Sequence, residues 1–133
     1  MSKMEPEEFF AWLLSSAQSS CRKYGLPTSC LMAQGAIESS WGDAIIGEYN
    51  LFGRKWGGEG SYIVLSTKEW DTDRYITIDA KFQLYDSLEK ACDDWCELMM
   101  WKSGDGSVDY LQYSLQYQKD HNLEDFVYGI ASY

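Results

Sequence analysis

The sequence predicts an α+β fold that is mainly helical and carries one β-hairpin, and three observations lead to this prediction. Apolar residues recur at helical spacing in the first and last thirds of the chain. Residues 61–85 are instead rich in β-branched and aromatic residues, and the polar sequence DTDR interrupts them at residues 71–74. A length of 133 residues with 45% apolar residues suits one core. We therefore predict a single domain over residues 1–133.

The first helix is predicted to begin at Pro6, because proline is favoured in the first turn of a helix. Gly25 permits a left-handed end to this helix, and Pro27 prevents its continuation. The apolar stripe of the helix consists of Phe9, Phe10, Leu13, Leu14 and Ala17.

A second helix is predicted to follow directly, with Thr28 or Ser29 as its N-cap. It should run to about Trp41, because Gly42 then provides a helix end.

Glu38 is the unexpected residue of this second helix. It shares a helix face with Leu31 and Gln34, so we expect it to point towards a partly apolar side. It also lies in the last turn, where the helix dipole disfavours a negative charge. Both effects favour a protonated carboxyl group. A glutamate on a solvated side of the helix is the alternative that these residues alone leave open.

The middle of the chain predicts an irregular segment followed by a hairpin. Residues 48–61 are rich in glycine and aromatic residues and contain the polar Asn50. Two strands, residues 61–70 and 74–85, should then pair as a small lobe beside the helices. Glu69 lies near the tip of this hairpin, where a charged residue is usually solvated.

Three more helical segments follow, and the whole outline is lysozyme-like. Asp86 and Glu89 fit a capping box at the start of the third helix. A fourth helix over residues 108–120 places its tyrosines in a stripe that is more typical of a core than of a ligand surface. Asn122 should cap a last segment that reaches Tyr133. The predicted stripe of the third helix consists of Leu88, Ala91, Cys92, Trp95, Leu98 and Met99, and that of the fourth consists of Tyr110, Tyr113 and Tyr117.

The composition limits the classes of partner. The net charge is −10 and the 11 Lys and Arg residues are scattered, so the basic patch of a nucleic-acid-binding protein is not predicted. No apolar stretch reaches the roughly 18 residues of a membrane span, and the N-terminal sequence lacks the pattern of a secretory signal peptide. The aromatic content of 16% fits either a well-filled core or a carbohydrate cleft. We expect a monomer.

The cysteines predict buried, reduced thiols. Cys92 and Cys96 are four residues apart on one helix face, and Cys21 and Cys30 lie elsewhere in the chain. A zinc site would need further ligands, and the single histidine, His121, lies in a polar stretch. Nothing in the sequence orients a Cys–His nucleophilic pair. The sequence therefore predicts neither a metal site nor a cofactor.

Three stretches of the chain resemble one enzyme family. MAQGAIESSWGDAIIGEYNLFGRK, at residues 32–55, is similar to the pattern A-Q-A-x-L-E-S-G-W-G followed by N-L-F-G-I-K. Residues 66–99 resemble a T-x-E-Y hairpin followed by F-R-x-Y-x-S-x-E-x-S-x-x-D, and the terminal GIASY resembles the start of G-Y-A-T-D-P. The patterns are those of the bacterial β-N-acetylglucosaminidases of glycoside hydrolase family 73, which are peptidoglycan hydrolases. The likeness runs from about residue 10 to the end.

The resemblance implies a role for each matching residue. Glu38 corresponds to the family's general acid, and Glu69 corresponds to a second acidic residue on the hairpin. Tyr133 corresponds to a tyrosine near the scissile sugar. The predicted substrate-binding residues, which match the cleft positions around the acid or offer a second cleft tyrosine, are Trp41, Asn50, Phe52 and Tyr128.

The function that the resemblance implies is hydrolysis of peptidoglycan at the bacterial cell wall. Glu38 would protonate the leaving oxygen of the β-1,4 bond after N-acetylglucosamine. Glu69 would activate water in an inverting route, or steady the substrate acetamide in an assisted one. Two alternatives stay open. One is a muramidase or lytic transglycosylase that uses Glu38 alone, and the other is a non-catalytic module that binds cell-wall glycan.

The chain departs from the family pattern at several positions. Gly35 replaces an alanine in mid-helix, at a cost of about 1 kcal/mol unless close packing requires it. Ser40 replaces a glycine before Trp41, and Arg54 replaces an apolar residue. The sequence ends before T-D-P, which predicts a trimmed or excised domain. Without a signal peptide, a phage-encoded lysin is a further expectation.

Overall fold

The structure is a computed structural model that describes residues 4–133, and it confirms the α+β prediction. Within that range the helices surround one core, and the two antiparallel strands form a separate ribbon. In chain order the elements are α1 (Pro6–Tyr24), α2 (Thr28–Glu38), β1 (Tyr62–Asp71), β2 (Arg74–Gln83), α3 (Leu88–Met99), α4 (Tyr110–Asp120) and α5 (Leu123–Gly129).

Helix α1 begins and ends where the sequence predicts. Pro6 occupies its first turn, and Gly25 ends it with a left-handed φ of 67°. Leu14, which was predicted in the apolar stripe, is exposed instead. The buried stripe consists of Phe9, Leu13, Ala17, Ser20 and Cys21, and this face packs on α2 and α3.

Helix α2 begins as predicted but is capped differently. Pro27 occupies the N-cap position with extended backbone and without a side-chain cap bond, so the prediction of Thr28 or Ser29 as the cap is wrong. Thr28 is already the first helical residue.

The end of α2 lies three residues earlier than predicted, at Glu38. The Ser39 hydroxyl donates to the carbonyl of Gly35 at 2.6 Å and accepts from the amide of Gly42 at 3.1 Å. Ser40 and Trp41 then take left-handed φ angles of 50° and 57°. The local serine bonds thus turn the chain away from the helix directly after Glu38.

Close packing explains Gly35. A Cβ added there would lie 3.0 Å from Leu51 Cδ1, 3.4 Å from Leu13 Cδ2 and 3.5 Å from Phe52 Cε1. Because residue 35 has no side chain, α2 can approach both α1 and the segment at residues 51–52. The helix-propensity cost of this glycine is therefore exchanged for packing.

The predicted hairpin is confirmed. The strands pair from Tyr62 with Gln83 to Asp71 with Arg74, and a two-residue turn at Thr72 and Asp73 joins them. Both faces of the ribbon are largely solvated, because among the residues of the two strands only Phe82 is buried.

The root of the hairpin is joined to the segment after α2. The amide of Gln83 donates to the carbonyl of Arg54 at 3.0 Å, and the amide of Trp56 donates to the carbonyl of Lys81 at 3.0 Å. Lys55 bridges Phe82 between these bonds. Residues 54–56 therefore lie beside β2 as a short extension of the sheet.

Helix α3 is capped by Ser87, so the prediction of a capping box from Asp86 is wrong. The Ser87 hydroxyl accepts the amide of Lys90 at 3.2 Å. Asp86 instead pairs with the Lys90 ammonium at 3.0 Å on the surface.

Helices α4 and α5 pack closely against each other. Asn122 caps α5 as predicted, with its side-chain oxygen accepting the amide of Asp125 at 3.1 Å. The helix ends at Gly129 and does not continue to Tyr133. A Cβ at Gly129 would lie 2.1 Å from Cγ of the Tyr113 ring on α4, so only glycine fits this crossing.

The core interpretation of the cysteines and of the α4 tyrosines is confirmed. All four cysteines are buried and free. Burial raises the pKa of Cys30 to about 11 and that of Cys92 to about 12, so both thiols stay neutral near pH 7. Tyr110 is buried, and Tyr113 and Tyr117 pack against the core. In residues 4–133 no helix is long and apolar enough to cross a membrane.

Candidate active site

Glu38 lies on the wall of a cavity of about 270 Å³ between α2 and the C-terminal segment. Its side chain is exposed, which is the alternative that the sequence left open. The side it faces is apolar as predicted, and Ile37 and Val127 present exposed apolar side chains beside it. The lining consists of Cys30, Ala33, Gln34, Ile37, Glu38, Val127, Ile130, Ala131 and Tyr133.

Gln34 is the second polar side chain from α2 on this wall. Its side-chain oxygen accepts the indole N–H of Trp95, a fully buried residue of α3, at 2.7 Å. The core thus fixes the orientation of the Gln34 amide one turn before Glu38. The amide nitrogen is then the part of Gln34 that remains to bond a ligand.

Tyr133 closes one end of the Glu38 cavity. Its hydroxyl donates to the carbonyl of Phe52 at 2.9 Å, which ties the last residue of the chain to the segment after α2. Burial raises the pKa of Tyr133, the charge of Arg54 opposes this shift, and the negative charge of Glu38 adds to it. Tyr133 therefore stays a neutral phenol within electrostatic reach of Glu38.

A second cavity, of about 370 Å³, shares the Tyr133 wall. Its lining consists of Phe52, Gly53, Arg54, Lys55, Leu98, Trp101, Val108, Tyr110 and Tyr133. A further depression continues from it past Arg54 and Trp101 towards Asp94 and Glu97. Both cavities have Tyr133 in their lining, so we describe them together as the groove.

Arg54 lines the second cavity, and a carboxylate of α3 holds its side chain. Its Nε donates to Asp94 of α3 at 3.0 Å, and the hydroxyl of Tyr85 donates to the same oxygen. Burial raises the pKa of Tyr85, and its bond to Asp94 adds to this rise. The positive charge of Arg54, which stands where the family pattern has an apolar residue, is thus balanced by Asp94.

Glu69 is tied to the groove through Lys55. The Lys55 ammonium pairs with the Glu69 carboxylate at 2.8 Å. The Lys55 backbone lies beside Phe82, which pairs with Ile63 at the hairpin root. A straight strand from Ile63 to Glu69 would span about 20 Å, which is farther than the two side chains reach. The hairpin is therefore bent so that Glu69 approaches Lys55.

Asn50 is a buried structural residue and does not reach a cleft surface, although it was predicted to bind substrate. It is 1% exposed. Its amide nitrogen donates to the carbonyls of Arg54 and Gln83, each at 2.9 Å, and its oxygen accepts the amide of Arg54 at 3.0 Å. Asn50 thus fastens the segment after α2 to the hairpin root.

Trp41 also lies away from the groove. Its ring packs edge-on against Phe9 at 5.7 Å and against Phe10 at 5.4 Å, between ring centroids. It is on the wall of neither cavity, and its role in binding substrate stays a prediction. Trp41 instead holds the turn after Glu38 against α1.

The other two predicted binding residues differ from each other. Phe52 is buried, with its ring 6.4 Å from that of Trp95, and it lines the second cavity. Tyr128 is 83% exposed and lines neither cavity, so of the two predicted cleft tyrosines it is Tyr133 that lines the groove.

Three features of the groove were not predicted from the sequence. They are Trp101, the Arg54–Asp94 pair and the Trp95–Gln34 bond. Among residues 4–133 no group of three or more His, Cys, Asp or Glu side chains is arranged to hold a metal ion.

Comparison with known proteins identifies relatives over most of the chain. Residues 14–133 match the glucosaminidase family, described as mannosyl-glycoprotein endo-beta-N-acetylglucosaminidase. The peptidoglycan hydrolase FlgJ of Escherichia coli (strain K12) is 34% identical over 103 residues, which cover 71% of this chain and 33% of FlgJ. A probable N-acetylmuramidase of Lactococcus lactis is 31% identical over 91 residues, covering 66% of this chain and 21% of that protein. The chain thus spans a third or less of the length of these relatives.

A solved structure shows the same fold. The catalytic domain of the autolysin Auto from Listeria monocytogenes superposes with a TM-score of 0.68 at 23% identity. The superposition covers 100% of this chain and 88% of the Auto domain.

Proposed function

We propose, from the premise that the chain belongs to the glucosaminidase family, that it hydrolyses peptidoglycan at the bacterial cell wall. The bond cleaved is the β-1,4 bond after N-acetylglucosamine. The single observation that best supports this proposal is the placement of Glu38 on the wall of a groove, beside Tyr133.

Glu38 acts as the general acid. Glycoside hydrolysis needs a proton on the leaving oxygen while positive charge develops on the sugar ring. Glu38 is open to the cavity, so a glycan strand can reach its carboxyl group. A sugar that enters between Ile37 and Val127 displaces water from these apolar side chains beside the acid. Helix α2 holds the carboxyl group in place, because Gly35 packs against the core one turn earlier.

Glu69 acts as the second carboxylate, either as the base for water or as the group that steadies the substrate acetamide. The Lys55 ion pair supports this role, because it brings Glu69 beside a wall residue of the second cavity. Tyr133 donates to Phe52 and separates the two parts of the groove, so it orients the sugar between them.

The test is turbidity loss of purified cell walls by the wild type and by Glu38→Gln. The variant should lose at least about 100-fold in rate, because the amide cannot donate an acidic proton. Glu124→Gln, on the exposed side of α5, is the matched control and should keep full activity. Equal rates for Glu38→Gln and wild type would reject the proposal.

A muramidase or lytic transglycosylase is the second candidate, and the similarity to a probable N-acetylmuramidase favours it. Mass spectrometry of the products separates these activities. A glucosaminidase leaves N-acetylglucosamine at the new reducing end, a muramidase leaves N-acetylmuramic acid, and a transglycosylase leaves an anhydro sugar. Binding of walls without any of these products would indicate a non-catalytic glycan-binding module.

A further inference from the structure

Trp101 is an exposed aromatic residue in the groove that the proposed mechanism does not use. It follows the end of α3 and is 47% exposed on the wall of the second cavity. Its backbone is held by three hydrogen bonds. The carbonyl of Trp101 accepts the amides of Tyr110 and Leu111, each at 3.1 Å, and its amide donates to the carbonyl of Leu98 at 3.1 Å. A fixed backbone thus presents a large flat ring to an open cavity.

We propose that Trp101 is the stacking platform of a glycan subsite that takes a neutral N-acetylglucosamine residue. This inference rests on the proposed function, whose substrate it specifies further. The apolar face of a pyranose ring lies flat on an indole and removes apolar surface of both from water. The cavity of about 370 Å³ falls within the range of roughly 300–1,000 Å³ that is typical of ligand sites. Leu98 and Val108 line the same cavity and can receive the acetamide methyl group.

The charges around the cavity favour a neutral sugar. The two cations that line it, Arg54 and Lys55, are each paired with a carboxylate, Asp94 at 3.0 Å and Glu69 at 2.8 Å. Glu97 adds a third carboxylate in the adjoining depression. A sugar with its own carboxylate, such as muramic acid, would therefore meet no uncompensated positive charge and would be repelled by the whole chain, whose net charge is −10.

The subsite would set the register of the glycan strand. Tyr133 lines both the second cavity and that of Glu38, so a strand held at Trp101 would continue past Tyr133 to the acid. N-acetylglucosamine and N-acetylmuramic acid alternate along peptidoglycan. On a strand whose muramic acid residues carry free lactyl carboxylates, a subsite that accepts only the neutral sugar therefore presents only every second glycosidic bond to Glu38.

The test measures binding of tetra-N-acetylchitotetraose, a neutral oligosaccharide, by calorimetry to the whole chain carrying Glu38→Gln. Adding Trp101→Ala should weaken binding about tenfold, as expected for the loss of one stacked ring. Trp101→Phe should recover most of the affinity. Trp70→Ala, on the hairpin and 60% exposed in the wild type, is the matched control and should leave the affinity unchanged.

Charge selectivity is tested with a muramic-acid disaccharide and its carboxyl-reduced form. The carboxylated form should bind more weakly than the reduced form, and this difference should shrink as salt is raised. Equal affinity of Trp101→Ala and Trp70→Ala would overturn the subsite, and tighter binding of the carboxylated form would overturn its preference for a neutral sugar.

The subsite and the hydrolase can fail separately. Wall hydrolysis by Trp101→Ala with an unchanged KM would reject the subsite and leave the proposed function standing. Trp101-dependent binding by a protein whose wild type hydrolyses no wall would reject the proposed function and leave a glycan-binding site.

Discussion

The helical body and the hairpin hold their acidic residues in different ways. Glu38 ends a helix whose neighbours include the fully buried Leu13 and Trp95. Glu69 lies on a ribbon in which only Phe82, among the residues of the two strands, is buried. Packing therefore fixes the position of Glu38, whereas curvature and one partly exposed ion pair fix that of Glu69.

This difference suggests a division of labour between the two carboxylates. A two-stranded ribbon that buries little apolar surface is marginally stable by itself and moves at low free-energy cost. In the proposed mechanism, the carboxyl group that protonates the leaving oxygen stays on the rigid body, and the second one approaches after the glycan has bound.

The largest effect is expected from truncating a core residue of the body. Leu13→Ala should lower the free energy of unfolding by about 2–5 kcal/mol, because it leaves a cavity between α1 and Gly35 of α2. Val64→Ala, at an exposed position of β1, should change the free energy of unfolding by less than about 0.5 kcal/mol. Urea denaturation of both variants measures the contrast, and similar losses would show that the ribbon is part of the core.

An intermediate effect is expected at the ion pair. Lys55→Met should reduce the rate of wall hydrolysis about tenfold, because a displaced reacting group loses rate steeply with distance. Its free energy of unfolding should fall by no more than about 1 kcal/mol, as for other exposed ion pairs.

Two further variants control for this effect. Lys55→Arg should restore most of the rate. Lys68→Met, at an exposed position of β1 beside Glu69, should keep the wild-type rate. If Lys55→Met keeps the wild-type rate, the position of Glu69 does not depend on the pair.

The smallest effect compares one serine in each region. Ser87→Ala should lower the free energy of unfolding by about 1 kcal/mol, because it removes the N-cap of α3. Ser66→Ala removes only an exposed bond to Asp79 of 3.0 Å, and should cost less than about 0.5 kcal/mol. Thermal unfolding followed by circular dichroism ranks the two, and the reverse order would contradict the comparison.

Sequence periodicity was sufficient for the elements of the fold but not for their ends. The stripe of α1 and the alternation of the hairpin each follow from local spacing, and both were predicted. The end of α2 depends on hydroxyl bonds of Ser39, and the start of α3 depends on Ser87 rather than Asp86. Such choices between neighbouring polar residues differ by small free energies, so a pattern does not resolve them.

The sequence motif named the candidate site residues, but it did not predict the contacts between distant parts of the chain that form the groove. The family pattern led to Glu38, Glu69 and Tyr133. The groove itself depends on a bond between residues 52 and 133 and on the pair that joins residues 54 and 94. Asn50 matched the motif, but its burial shows that a residue within a motif can be structural.

The crossing of α4 and α5 has a consequence for the shape of the groove. The ring of Tyr113 fills the space that any side chain at position 129 would need, so these two helices have one available spacing. Val127 and Ile130, on either side of that crossing, line the Glu38 cavity opposite the acid. The absence of a side chain at position 129 thus sets the width of the cavity that Glu38 lines.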